Sequence, residues 1–301
     1  MKIALLSDVH ANLVALEAVL ADIHSSGGVD MHWFLGDVVG YGPQPFQCLQ
    51  RLHEVVGQQS WLAGNHDLGV VKIVEGVDAY SGEVRDLVGD AGNQVASLAH
   101  AQELKTLSME SCYQRMQQAP TWMIPMHNVA LAHGMVFDRP ESTSNVIGSP
   151  SYLTDAGRAM VAFWNLRQQS GDDSTHLLCV GHTHVQQYIC TENAADNNAE
   201  WHTLDSTSLA PGLFDIRSEF AVIISSLNRG RIVINPGSVG QARGSQPGHP
   251  DTRACYAVLT FHENRGTVSF RRIPYDVAKV QKHMEDDGYD PQLIRRLALG
   301  Q

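Results

Sequence analysis

Five short apolar runs in this chain each end in a tight turn that carries Asp, Asn or His. The turns are Asp8-Val9-His10, Gly36-Asp37, Gly64-Asn65-His66-Asp67, His133-Gly134 and Gly181-His182-Thr183-His184. In open α/β sheets the carboxyl ends of the strands line the ligand crevice, so side chains placed there converge in space. Glycine at such a turn lets the backbone bend sharply and approach a ligand closely. Taken singly, each group reads as a capping Asp, a turn Asn-His or a half-buried His. Five together, in one order and all at strand ends, read as one site.

The rest of the pattern fits a layered α/β fold. Residues 3–7, 32–35, roughly 59–63, 128–132 and 176–180 are buried-strand runs. Asn12 is placed to cap a helix whose apolar residues Leu13, Leu16, Leu20 and Ile23 follow helical spacing. Further helices are expected near 46–56, 84–89, 92–118 and 153–169, and from Tyr275 to the end. After residue 186 the pattern turns to antiparallel strands at 186–191, 219–226, 231–234, 254–261 and 266–273, and the polar 192–200 stretch reads as an exposed loop. The expectation is a four-layer α/β/β/α sandwich of two mixed sheets with flanking helices. One domain spans residues 1–301, with a helical insertion at about 68–125 placed to cap the site.

Composition removes several alternatives. A formal net charge of -11 disfavours a broad nucleic-acid-binding face. No run of about eighteen apolar residues offers a membrane span. Met1 to Asp8 lacks the long apolar core of a secretory signal, so it reads as the first core strand, and the cytoplasm is the expected compartment. The 5 cysteines (Cys48, Cys112, Cys179, Cys190, Cys255) are widely spaced without a Cys-x-x-Cys, which argues against a disulfide scaffold or a cysteine-built zinc site. Cys179 and Cys255 lie in apolar runs as core fillers.

Carboxylate oxygen with imidazole nitrogen is the donor set of Mn²⁺, Fe²⁺ and Zn²⁺. Two divalent ions bring four positive charges, against two from Asp8 and Asp37 and one from a bridging hydroxide. The remaining positive charge attracts an anionic phosphate, which an all-carboxylate cage would repel.

On these residues the chain resembles the calcineurin-like metallophosphoesterase superfamily. Ser7-Asp8-Val9-His10-Ala11-Asn12-Leu13, Gly36-Asp37-Val38-Val39-Gly40-Tyr41-Gly42-Pro43 and Ile234-Asn235-Pro236-Gly237-Ser238-Val239-Gly240-Gln241 are similar to its small prokaryotic phosphodiesterase-like branch. The resemblance implies two divalent metal ions (Mn, Fe, Zn, Ni or Co). Asp8, His10, Asp37 and His184 would hold one, and Asp37, Asn65, His133 and His182 the other. It also implies attack by a metal-bridging hydroxide on a small-molecule phosphoester, a phosphodiester or nucleotide above all. His66 would face the scissile phosphate with Asp67 orienting it; the plainer reading of His66 is a structural hydrogen bond.

Departures bear on substrate. Relatives often carry Gly-Ser-Pro-Arg-Asp-Pro after the fourth-block histidine, where this chain reads Gly134-Met135-Val136-Phe137-Asp138-Arg139-Pro140 before a polar loop at 137–151. Gln241-Ala242-Arg243-Gly244 replaces a more usual Gln-Pro-Arg-Asp, and the polar 192–218 region is longer than usual. Arg243 reads as a bidentate phosphate grip or as a surface Arg in a Gly-rich loop. Tyr41 reads as a cleft-lining ring or a packed loop aromatic. The remaining histidines read as structural or surface groups. The alternatives to a phosphoesterase acting on small molecules are a catalytically silent scaffold of the same fold and a protein phosphatase. A dinucleoside polyphosphate hydrolase stays within the first reading, whereas a nuclease is disfavoured by charge. Gly36-Asp37-Val38-Val39-Gly40-Tyr41-Gly42 differs from the Gly-Asp-x-x-Asp-Arg-Gly of protein phosphatases.

Overall fold

Successive side chains of a strand point to opposite faces, so a strand apolar at every position must be covered on both sides. The first strand, β1 (Lys2–Leu6), is of this kind. Ile3 and Leu5 enter one apolar cluster while Ala4 and Leu6 enter another. The computed structural model of the protein describes all residues except 58, 107–110, 137–151, 172, 192–200, 206–217, 226–229, 244–249, 263–264 and 301, and describes 191, 201–205, 218–225, 262 and 265 by backbone alone.

Eleven strands among the described residues form two mixed sheets. The first joins β2 (Met31–Phe34), β1, β10 (Ala254–His262), β11 (Arg265–Ile273) and β8 (Ser218–Ser225) in that order. Only its β1–β2 pair is parallel. The second joins β3 (Trp122–Met126), β4 (Val129–Ala132), β5 (Leu177–Val180), β9 (Arg231–Pro236), β6 (Gln186–Thr191) and β7 (Trp201–Asp205). Its central trio β4, β5 and β9 is parallel.

Three cores separate four layers. Between the sheets, Ile3, Leu5, Trp33 and Leu35 meet Leu131, Leu177, Cys179 and Ile234. Outside the first sheet, Ala4, Leu6 and Phe34 pack against α1 (Leu13–Ser25) and α2 (Pro45–Val55). Outside the second, Ala130, Leu178, Val180 and Val233 pack against α7 (Ala156–Ser170). This is the expected α/β/β/α sandwich. Asn12 caps α1 as expected, its Oδ1 accepting the Ala15 N–H at 3.0 Å. Cys179 and Cys255 are buried core fillers, and the five cysteines are free thiols.

Several elements differ from the sequence reading. The expected strand near 59–63 is a single parallel bridge between Phe34 and Trp61. Asn65, His66 and Asp67 form the first turn of a helix, α3 (Asn65–Val74), whose Gly69 and β-branched residues hide helical periodicity. The long 92–118 helix is two, α5 (Ala91–Thr106) and α6 (Ser111–Gln118), preceded by α4 (Gly82–Val88). Strand β3 escaped notice because Pro125 lies within it, which suits its place at a sheet edge. The C-terminal helical stretch is α8 (Val277–Asp286) and α9 (Pro291–Leu299). The loops at 137–151 and 192–200 lie outside the described residues.

Leu5 is fully buried between the sheets. Leu5→Ala should therefore lower unfolding free energy by about 2–5 kcal/mol in urea denaturation. A change near zero would place Leu5 outside a packed inter-sheet core.

Candidate metal centre

Strands β1 and β2 in one sheet and β4 and β5 in the other release their chains on the same side of the sandwich, and backbone bonds tie the exits together. Asp8 N–H donates to Gly36 O at 2.9 Å, His10 N–H to Asp37 O at 3.1 Å, and Gly181 N–H to His133 O at 2.9 Å. The turns are sharp enough to force left-handed backbone at Asp8, His10, Asp37, Tyr41, His182 and His184, with φ between 48° and 68°. Such conformations cost about 1–3 kcal/mol each outside glycine and persist where the surroundings over-determine them. Glycines clear the space behind the carboxylates. A Cβ on Gly64 would lie 2.1 Å from Asp37 Oδ1, and one on Gly181 would lie 2.8 Å from Asp8 Oδ2.

Asp8, His10, Asp37, Asn65, His133, His182 and His184 meet in one buried cluster, each at 6% exposure or less. Each carboxylate is oriented by its neighbours. Asp8 Oδ2 accepts from the Ser7 hydroxyl at 2.5 Å and from His182 N–H at 3.1 Å. Asp37 Oδ1 accepts from His66 N–H at 2.8 Å. The imidazoles are oriented by backbone carbonyls: Nδ1 of His10 donates to Val39 O at 2.8 Å, of His133 to Leu35 O at 2.8 Å, and of His184 to Gln241 O at 2.7 Å. A carbonyl only accepts, so each Nδ1 carries a proton, and the neutral His10 and His184 rings turn their Nε2 lone pairs inward.

Those lone pairs crowd one another. His10 Nε2 lies 3.0 Å from His184 Nε2, and His184 Nε2 lies 3.3 Å from Asp8 Oδ1. Burial above all holds both histidines below their ordinary value, with the Arg243 guanidinium adding to it at His184, so neither Nε2 carries a proton at neutral pH. On the other side His133 Nε2 faces Asn65 Oδ1 at 3.1 Å and Asp37 Oδ2 at 3.2 Å. Asp37 Oδ2 is buried without a hydrogen-bond partner. Burial alone would depress His133, but the Asp37 carboxylate overrides it and raises the ring to about 9. A proton is the smallest cation that relieves this crowding. The donor chemistry suits a larger one, and the triads Asp8, His10, His184 and Asp37, His133, His182 each bring their ligand atoms within 4.8 Å of one another, as does His10, Asp37, His66.

His66 lines the cavity that opens over this cluster, a space of about 270 Å³, together with Tyr41, Tyr152, Arg243 and Arg296. Burial pushes His66 down to about 4. The expected Asp67–His66 bond is not made. Both Asp67 oxygens instead accept backbone N–H groups, from Asp37 at 2.8 Å, Val38 at 2.9 Å, Val39 at 3.1 Å and Gly64 at 3.0 Å, while His66 Nδ1 is buried without a partner. Asp67 thus fixes the turn that presents Asp37. Tyr41 sits edge-on to His10 at 4.5 Å and beside His66 at 4.8 Å, and Arg243 Nη2 donates to its hydroxyl at 3.1 Å.

Other contributors escaped the sequence reading. Tyr152 stacks on His182 at 4.4 Å, from the edge of a polar loop with no pattern to announce it. Arg296 reaches the cavity from α9, far from any motif. The 234–241 segment acts through hydrogen bonds: Asn235 Nδ2 holds Gly181 O at 2.7 Å and Ser238 Oγ holds Asp8 O at 2.7 Å, while Gln241 supplies the carbonyl for His184.

Residues 1–264 match the family model described as the calcineurin-like phosphoesterase superfamily domain. A metallophosphoesterase structure from Sphaerobacter thermophilus is 31% identical and superposes with a TM-score of 0.68, covering 100% of this chain and 99% of that one. A hypothetical protein from Pyrococcus horikoshii shares the fold at a TM-score of 0.62 and 13% identity, covering 100% and 98%. A symmetrical bis(5'-nucleosyl)-tetraphosphatase from Pectobacterium atrosepticum is 32% identical over 100 residues, 33% of this chain and 34% of that protein. An uncharacterized protein from Methanocaldococcus jannaschii is 44% identical over 69 residues, 23% of this chain and 27% of its own length. The chain thus aligns with only about a third or less of each of these two sequence relatives.

His100 gives the loop beneath the site a measurable pH dependence. Its Nδ1 accepts the Gly40 N–H at 3.2 Å and its Nε2 lies 2.8 Å from Gly42 O, and burial lowers it to about 4. A histidine depressed on folding contributes stability that is present above its unfolded value near 6.5 and is lost as pH falls toward 4. Between pH 7.5 and 4.5 wild type should lose about 2 kcal/mol more than His100→Gln in urea denaturation. Equal losses would show that His100 does not titrate in that range.

Proposed function

This chain belongs to the calcineurin-like phosphoesterase superfamily, and from that premise we propose that it hydrolyses phosphate esters, acting on small phosphodiesters or nucleotides at a pair of divalent cations. The observation that carries the reading is the buried cluster of inward-facing lone pairs, with His10 and His184 3.0 Å apart at Nε2. Asp8, His10, Asp37 and His184 would hold one ion, and Asp37, Asn65, His133 and His182 the other. Asp37 would serve both, which its Oδ2 supports by lying 3.2 Å from His133 Nε2 and 3.8 Å from His10 Nε2. Bound Mn, Fe, Zn, Ni or Co ions would supply Lewis acidity toward phosphate oxygens and lower the pKa of water.

The chain's own groups do the rest. Hydrolysis places a water oxygen on phosphorus and breaks the bond to the leaving oxygen, which must gain a proton. His66 is the group in position to supply it, and an anionic phosphate beside it raises its pKa from the depressed value of the empty ring environment. Arg243 grips a non-bridging oxygen, supported by its buried Nε, which has no partner. Tyr41 positions both, touching His66 with its ring and Arg243 with its hydroxyl. Helices of the 68–125 insertion cap the cavity, since Leu87, Val88 and Asn93 line it. Asn65 Nδ2 donates to Leu87 O at 2.6 Å, which aims Asn65 Oδ1 at His133. The tetraphosphatase similarity supports nucleotide substrates. Among the described residues no helix is long and apolar enough to cross a membrane.

Manganese-loaded protein should hydrolyse bis(p-nitrophenyl) phosphate, lose that activity on chelation and regain it when Mn²⁺, Ni²⁺ or Co²⁺ is returned. Metal-loaded protein that turns over neither this diester nor nucleotides would contradict the reading.

His66→Ala should retain its metal, measured by elemental analysis, and lose roughly 10²–10⁴-fold in kcat. Full metal content with unchanged kcat would remove His66 from the chemistry.

A further inference from the structure

The cavity extends beyond the groups that one phosphate needs. Arg296 enters it from α9 with its guanidinium 5.7 Å from the centroid of the Tyr41 ring, on the same phenol whose hydroxyl Arg243 holds. Two guanidinium groups therefore share one buried ring, and each repels the other unless an anion lies between them. Arg243 forms no ion pair among the described residues, and Arg296 has only a loose one: the exposed Asp90 carboxylate lies 3.7 Å from its Nη1, longer than a hydrogen bond.

A third group faces the same space. Asn93, 4% exposed on the first turn of α5, lines the cavity, and its Oδ1 is buried without a partner. The two ends of an Asn amide interchange by a simple flip, so this group can present its donors to an incoming oxygen. A buried amide oxygen without a partner is costly and marks a place where a group can bind.

We propose that Arg296 and Asn93, with Arg243, form a second anion subsite that takes a phosphoryl group joined to the scissile one. The inference rests on the phosphoesterase reading above and narrows it: the substrates are phosphoric anhydrides with two adjacent phosphoryl groups, such as nucleoside diphosphate esters, in preference to simple monoesters. The subsite stops there. Asp86 and Asp90 also line the cavity, with side chains 59% and 61% exposed, and their charges disfavour a longer polyanion reaching outward.

The test measures binding and turnover together on the manganese-loaded protein. Methylenediphosphonate, whose bridge resists hydrolysis, is titrated calorimetrically against inorganic phosphate, and turnover of p-nitrophenyl phosphate and of a nucleoside diphosphate is followed in parallel. Wild type should bind methylenediphosphonate at least about tenfold more tightly than phosphate, and Arg296→Gln or Asn93→Ala should reduce that ratio about tenfold. The ratio of kcat/KM for the nucleoside diphosphate to that for the monoester should fall in step. Ratios that survive both substitutions, in variants that melt like wild type, overturn the subsite while leaving hydrolysis intact. Loss of the binding ratio in an enzyme that turns over neither compound supports the subsite and overturns the hydrolytic reading instead.

Discussion

Two imidazole nitrogens that carry lone pairs face each other at 3.0 Å in the interior of this protein, and most of the surrounding structure exists to hold them there. His10 and His184 cannot turn away, because each spends its only N–H on a backbone carbonyl, Val39 O for one and Gln241 O for the other. Neither can they relieve the contact by taking up a proton at neutral pH, since burial opposes it in both and the Arg243 guanidinium adds to this at His184. Asp8 and Asp37 add negative charge to the same space. An arrangement of this kind is unfavourable on its own and becomes favourable around positive charge.

The fold sustains the crowding through its backbone. The site residues leave parallel strands in two different sheets, and left-handed conformations at Asp8, His10, Asp37, His182 and His184 turn their side chains toward a common centre. Hydrogen bonds from the site's own neighbours hold that strain in place: four N–H groups on Asp67, the Ser238 hydroxyl on Asp8 O, and Asn235 on the Gly181 carbonyl. The sandwich cores fix where the strands end, the turns fix where the donors point, and the cavity above them receives the substrate.

Much of this was legible in the sequence because the features involved are local. An apolar run followed by a glycine and an Asp or His announces a strand end and a ligand in one short stretch, as at Gly36-Asp37 and Gly181-His182-Thr183-His184. Burial of β1 on both faces follows from its unbroken apolar run in the same way. What was not legible depends on contacts distant in the chain. Asp67 looked like a partner for its neighbour His66, but the helix beginning at Asn65 turns its carboxylate back onto the 37–39 turn. Arg296 carries no signal in an ordinary amphipathic helix; only the packing of α9 against α5 brings it near Tyr41. Asn93 likewise reads as a polar residue in a helix, and its importance lies in the hydrogen bond it does not make.

The central claim is that the converging donors surround two cations with Asp37 common to both. Anomalous diffraction from crystals of the manganese-loaded protein tests it most directly. The account predicts two anomalous peaks in the cavity, one among Asp8, His10 and His184 and one among Asn65, His133 and His182, both within coordination distance of the Asp37 carboxylate. A cavity without an anomalous peak in a crystal that binds manganese elsewhere would contradict it.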